Sequence, residues 1–116
     1  MQICKMSGRQ IEQALGLIRT VFDECDKEDY EEIGIKTFYH FIQRDSIMEK
    51  VRSGEMLFFG AYEQSEMVGV IAMRDGFHVS LLFIKKEYQR CGIGKKLVRR
   101  GIAYCLEENP ALHAVT

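Results

Sequence analysis

The sequence predicts an α+β fold built on one mixed, mainly antiparallel sheet. Three observations predict it. Residues 7–54 carry apolar positions at helical spacing. Residues 56–84 switch to β-branched and aromatic runs of strand length, separated by short polar turns. Residues 92–116 return to a helical period and end in another apolar run. The third of the three strands, the helix and the last strand then make a βαβ-like crossover, with the two strands parallel. The order is strand, helices, three strands, helix, strand, and 116 residues suffice for one domain spanning 1–116.

The elements follow in turn. Residues 2–6 alternate polar and apolar, as a half-buried strand does. Ser7 with Gln10 three residues later is a capping box, which satisfies free N–H groups at a helix start. The helix it opens places Ile11, Ala14, Leu15, Ile18 and Phe22 on one face. Residues 23–32 are strongly acidic and read as a surface loop or helix edge. Ile35, Phe38, Tyr39, Phe41 and Ile42 suggest a second helix. Ser46 with Glu49 is a second capping box, so a new helical turn is expected to start there and to stop near Gly54. Strands are expected at 56–62, 67–74 and 77–84. The first two are joined by the polar turn 63–66. The second and third are joined by Asp75-Gly76, a dipeptide favoured in two-residue hairpins. A helix over 92–106 buries Ile93, Leu97, Val98, Ile102 and Cys105. Asn109-Pro110 breaks the chain, and 111–116 begin a final strand.

Composition narrows the function. Sixteen Lys plus Arg against seventeen Asp plus Glu leave a net charge of −1, without the basic excess of a protein that holds nucleic acid by charge alone. The longest apolar runs, 56–62 and 67–73, fall far short of the ~20 residues that span a bilayer. The N-terminus lacks the apolar core of a signal peptide, so a cytoplasmic location is expected. Cys4, Cys25, Cys91 and Cys105 include no Cys-x-x-Cys pair, and His40, His78 and His113 are scattered. No metal site is expected, and the cysteines read as reduced thiols.

The chemistry concentrates at 81–97. A buried strand runs into a short polar turn, then Gly92 and Gly94, then a helix. A helix N-terminus presents unpaired N–H groups and partial positive charge, and glycines let an anion approach the backbone. Arg90, Lys95 and Lys96 add charge there. The segment is a candidate phosphate or pyrophosphate cradle, although such a turn also occurs for packing alone. The P-loop needs its glycines further apart, and the dinucleotide fingerprint needs a third glycine where Leu97 stands.

Gln89-Arg90-Cys91-Gly92-Ile93-Gly94 resembles the Gln/Arg-x-x-Gly-x-Gly/Ala signature of the GCN5-related N-acetyltransferase (GNAT) family. The order of elements resembles the same family from its first strand to the start of its fifth. The resemblance implies a three-layer α/β/α, acyl-CoA N-acyltransferase-like fold and acetyl-CoA as co-substrate. It implies that the backbone N–H groups of Gln89, Arg90, Cys91, Gly92, Ile93 and Gly94 face the pyrophosphate, with Arg90 and Lys95 near the phosphates. Leu82, Phe83 and Ile84 would offer main-chain groups to the pantetheine arm and the acetyl carbonyl. A neutral primary amine of a small molecule or peptide would attack the thioester directly, with no acyl-enzyme. The alternative is a non-catalytic acyl-CoA-binding or regulatory module of the same fold.

His78 is the candidate for relaying a proton from the amine, because imidazole titrates near neutrality; a histidine satisfied by a neighbouring strand is the plainer explanation. Cys91 precedes a helix N-terminus, where a thiolate is stabilised, but no Cys–His pair is visible. The acidic stretch holding Asp23, Asp26, Glu28, Asp29, Glu31 and Glu32 is either a solvated loop or a rim that attracts a cationic amine. Tyr30 and Phe38 are either pocket walls or core. Lys95, Lys96, Arg99 and Arg100 form a basic stripe for which phosphates are a simpler partner than nucleic acid.

Complete members of the family commonly continue past the fifth strand with a further helix and two strands, and that helix often carries a Tyr that protonates the departing thiolate. The chain ends at Thr116. C-terminal truncation, a short natural variant and completion by a second subunit, as in a homodimer, are the three explanations the sequence leaves open.

Overall fold

The structure is a computed structural model and describes residues 1–74 and 78–108. Four strands, β1 (Gln2–Lys5), β2 (Met56–Glu63), β3 (Glu66–Arg74) and β4 (His78–Ile84), form one antiparallel sheet in the order β1-β2-β3-β4. Helices α1 (Gly8–Val21), α2 (Glu32–Phe41) and α3 (Arg44–Arg52) precede the three-stranded meander, and α4 (Ile93–Glu108) follows it. The expected Asp75-Gly76 turn, the final strand at 111–116 and the crossover it would complete lie outside the described residues.

Strand alternation builds two cores. Met56, Phe58, Val70, Ala72 and Leu81 turn to one face, where α1 covers them with Ile11, Ala14, Ile18 and Val21, and α3 adds Ile47. Phe59, Ala61, Ile71 and Met73 turn to the other face, under Ile93, Leu97 and Cys105 of α4. The result is the three-layer arrangement, with helices on both faces of the sheet. Phe58 and Phe59 are both fully buried, on opposite faces. Each contributes roughly 1.5–3 kcal/mol of apolar burial. Of the predicted buried side of α4, Val98 and Ile102 are half-buried at its margin, while Gly101 lies at its centre.

Local signals set the start of α1 and the stop of α3. The Ser7 N–H donates to Gln10 Oε1 at 2.9 Å, as a capping box requires. Past α3, Gly54 N–H bonds to the Val51 carbonyl at 3.1 Å and Glu55 N–H to the Lys50 carbonyl at 2.9 Å. Gly54 takes φ +84°, so this is a Schellman stop. The start of α3 differs from expectation. Its N-cap is Gln43, three residues before Ser46, and Ser46 lies inside the helix. The earlier start places buried Ile47 against the core and Arg44 in an ion pair with Glu12 of α1, contacts that outweigh the local capping signal. The acidic stretch is neither open loop nor separate. It prolongs α1 as a wide turn over Phe22–Asp26, then a tight turn over Lys27–Asp29.

Candidate active site

Among the described residues β4 is one edge of the sheet, with β1 at the other. The Lys85 N–H bonds to the Val68 carbonyl of β3 at 2.9 Å. The two-residue period of a strand then turns the main-chain groups of Phe83 and Leu81 toward β3, opposite Val70 and Ala72. Those of Leu82 and Ile84 face outward. Higher on the strand, Leu81 pairs with Ala72 but Val79 pairs with Met73, so Ser80 is an extra residue. Such a bulge bends the strand and increases its twist. Val79 and Leu82 are 37% and 40% exposed beside it.

The loop after β4 is held tightly at its start. A tight turn at Lys86–Tyr88 is closed by Tyr88 N–H to the Lys85 carbonyl at 2.9 Å. Gln89 then reaches back, and its side-chain Nε2 donates to the Ile84 carbonyl at 3.0 Å. The same nitrogen lies 3.6 Å from Cys25 Sγ, in the wide turn that prolongs α1. Arg90 (φ 66°) and Gly92 (φ 79°) are both left-handed. Backbone that changes hand in this way turns successive N–H groups into one concavity suited to an anion. The first helical bond of α4 runs from Lys96 N–H to the Gly92 carbonyl at 3.2 Å. The N–H groups of Ile93, Gly94 and Lys95 therefore precede the helical ladder. Among the described residues, a Cβ built on Gly94 meets only Leu82 Cδ2, at 3.8 Å. Arg90, Lys95 and Lys96 are exposed around this point.

The structure thus brings Leu82, Ile84 and residues 89–95 to one side of the sheet edge. Phe83 behaves differently, because its main chain belongs to the ladder and its ring meets Phe38 at 5.7 Å. Exposed Cys91 points its thiol to the Gln89 carbonyl at 3.7 Å. His78 opens β4, exposed and opposite Arg74. The fit to a CoA-type ligand rests on three features: an open space over Gly94, a concavity of N–H groups, and outward main-chain groups on β4.

Two features escape sequence reasoning. One is the Gln89 side chain, whose role depends on where Ile84 points. The other is an aromatic column: Phe22 stacks on Phe38 at 4.2 Å, and Phe38 leads to Phe83 on β4. Tyr30 sits edge-on to Phe22 at 5.2 Å and is 51% exposed. The column carries the acidic stretch over the face of β4. Tyr39 donates to Asp23 there, and burial, then neighbouring Asp29, raises the Asp26 carboxyl above the usual carboxylate range. A separate cleft of about 590 Å³ between α1 and the β2–β3 turn includes none of residues 89–95 in its lining. Among the described residues, no group of three His, Cys, Asp or Glu is placed to hold a metal, and no helix is long and apolar enough to cross a membrane.

The site is thus a helix-covered sheet whose edge strand feeds a phosphate-type loop and the start of a helix. Residues 26–116 match the model of the acetyltransferase (GNAT) domain. The chain belongs to the GNAT acetyltransferase family. Solved structures agree on the fold. The PaiA N-acetyltransferase of Thermoplasma acidophilum, in complex with coenzyme A, is 21% identical with a TM-score of 0.77, over 93% of this chain and 73% of that one. A GNAT-family acetyltransferase of Staphylococcus aureus Mu50 is 18% identical with a TM-score of 0.70, over 93% and 67%. An aminoglycoside acetyltransferase from an uncultured soil metagenomic sample, in complex with sisomicin, is 16% identical with a TM-score of 0.66, over 92% and 70%. No curated protein matches the sequence significantly.

Proposed function

We propose that the protein transfers the acetyl group of acetyl-CoA directly to a primary amine, on a small molecule or a peptide. The observation that carries this is the open space over Gly94 beside Leu82, where nothing among the described residues calls for a missing side chain. In this proposal the N–H groups of residues 89–94 hold the pyrophosphate, with Arg90 and Lys95 adding charge. The outward groups of Leu82 and Ile84 hold the arm that bears the thioester, whose carbonyl is the electrophile. The Ile84 carbonyl is already engaged by Gln89, so its N–H and the groups of Leu82 remain for that task.

The amine approaches on the face of the Phe22–Phe38–Phe83 column, where carboxylates favour a cation. It must lose a proton before attack, and His78 is proposed to take it. Sisomicin in one neighbour supports a small-molecule acceptor.

Calorimetry with acetyl-CoA tests binding, and thiol release across a panel of amines tests turnover. Binding with turnover of at least one amine is the expected result. Binding with silence across the panel leaves the non-catalytic acyl-CoA module, and no binding at millimolar acetyl-CoA overturns both. With an accepted amine in hand, His78→Gln should lower kcat and leave acetyl-CoA affinity unchanged.

A further inference from the structure

We propose that Gln89 is a positioning residue whose side chain locks the phosphate loop in register with the outer edge of β4. The proposal rests on the acetyl-CoA reading above. Ile84 is the last residue of β4, and its carbonyl points away from the sheet. A carbonyl accepts only, so it is the NH₂ half of the Gln89 amide that faces it, at 3.0 Å. The second hydrogen of that NH₂ has the Cys25 sulfur at 3.6 Å, a weak acceptor. The amide is thereby held from two sides, by the sheet edge and by the wide turn after α1.

The next residue shows why an anchor is needed. Arg90 has φ 66°, a left-handed conformation that a non-glycine residue adopts at a cost. The Gln89 backbone N–H bonds only loosely to the Lys86 carbonyl, at 3.3 Å. The side chain is the shorter of the two bonds Gln89 donates to the main chain, and it is the one that reaches β4. A ligand that touches both the edge of β4 and the loop gains from that tie. A ligand that touches the loop alone does not.

The test compares acetyl-CoA with 3′-phosphoadenosine 5′-diphosphate, which carries the phosphates and lacks the pantetheine arm. Dissociation constants come from two-dimensional NMR titration, which reads affinities into the millimolar range. Gln89→Met keeps the length and removes both donors. It should weaken acetyl-CoA about tenfold, the size expected for losing one hydrogen-bonded constraint. It should leave 3′-phosphoadenosine 5′-diphosphate within about twofold, well under the 1.4 kcal/mol that a factor of ten represents. Gln89→Arg, the alternative residue of the family signature and again a donor, should restore acetyl-CoA binding.

Equal acetyl-CoA affinity in Gln89→Met and wild type overturns the proposal. So does an equal loss for both ligands, which makes Gln89 a part of the phosphate cradle itself. If Gln89→Met does not fold, Gln89→Asn, which keeps the amide but falls short of Ile84, is judged by the same two criteria. Failure of the wild type to bind acetyl-CoA overturns the cofactor reading instead.

Discussion

Gly94 on the first turn of α4 faces Leu82 on β4, and a methyl group added to Gly94 would stop 3.8 Å from the Leu82 Cδ2 atom. Among the described residues, the space is ordinary contact distance on one side and open on the others. Alanine fits here without strain, and its better helix propensity offers up to ~1 kcal/mol. A larger side chain also fits the apo chain, but it fills the approach to the N–H groups of the helix start. Gly94→Ala should therefore match or exceed wild type in urea unfolding and bind acetyl-CoA within about threefold. Gly94→Val should unfold normally and lose acetyl-CoA affinity by at least about tenfold. Equal binding by the valine variant would place the ligand elsewhere.

The thiols report on the same site. Cys4 and Cys91 are exposed, Cys25 is partly buried and Cys105 is buried. Only Cys91 lies in the loop. Saturating acetyl-CoA should slow alkylation of Cys91 by iodoacetamide and leave Cys4 unchanged, with mass spectrometry of the digested protein assigning each site. The Cys105 thiol should react only on unfolding, since burial both shields it and raises its pKa.

Gly101 serves packing. A Cβ there would come within 2.9 Å of Met73 Sδ and 3.1 Å of its Cγ, and Met73 is 1% exposed. The missing side chain lets α4 lie close on β3. Gly101→Leu should destabilise the fold by about 1–3 kcal/mol through overpacking, read from denaturant midpoints. Gly101→Ala should fall between wild type and the leucine variant, because gained helix propensity offsets part of the clash.

Asp26 makes stability depend on pH. Its folded-state pKa is raised by burial first and by Asp29 second. Folding therefore favours the protonated acid. Its contribution is fully present below the unfolded value near 4 and is lost as pH rises through the folded value. Asp26→Asn should raise the melting temperature at pH 7 and leave it nearly unchanged at pH 3, in a thermal series across that range. The opposite sign would mean that Asp26 gains more from a cationic neighbour than it loses by burial.

The order of the described elements, the strand-length runs of the meander, the Ser7 cap, the Gly54 stop and the strand–glycine–helix turn were all legible in the sequence. Each depends on residues close together in the chain: a period of two or 3.6, a hydroxyl three residues from an amide, a glycine that alone tolerates positive φ. Tertiary structure decided the rest. It moved the start of α3 to Gln43, because Ile47 and Arg44 find partners on other elements. It separated Gly94 from Gly101, two helix glycines distinguished by what stands opposite them among the described residues: open space by the loop, Met73 under α4. It turned Phe83 inward and Leu82 outward, since pairing with β3 determines which main-chain groups of β4 are spent. It also gave the Gln89 side chain its partners, sixty-four residues away in Cys25 and five away in Ile84. Such contacts depend on how separate elements pack, and one-dimensional spacing carries no record of that.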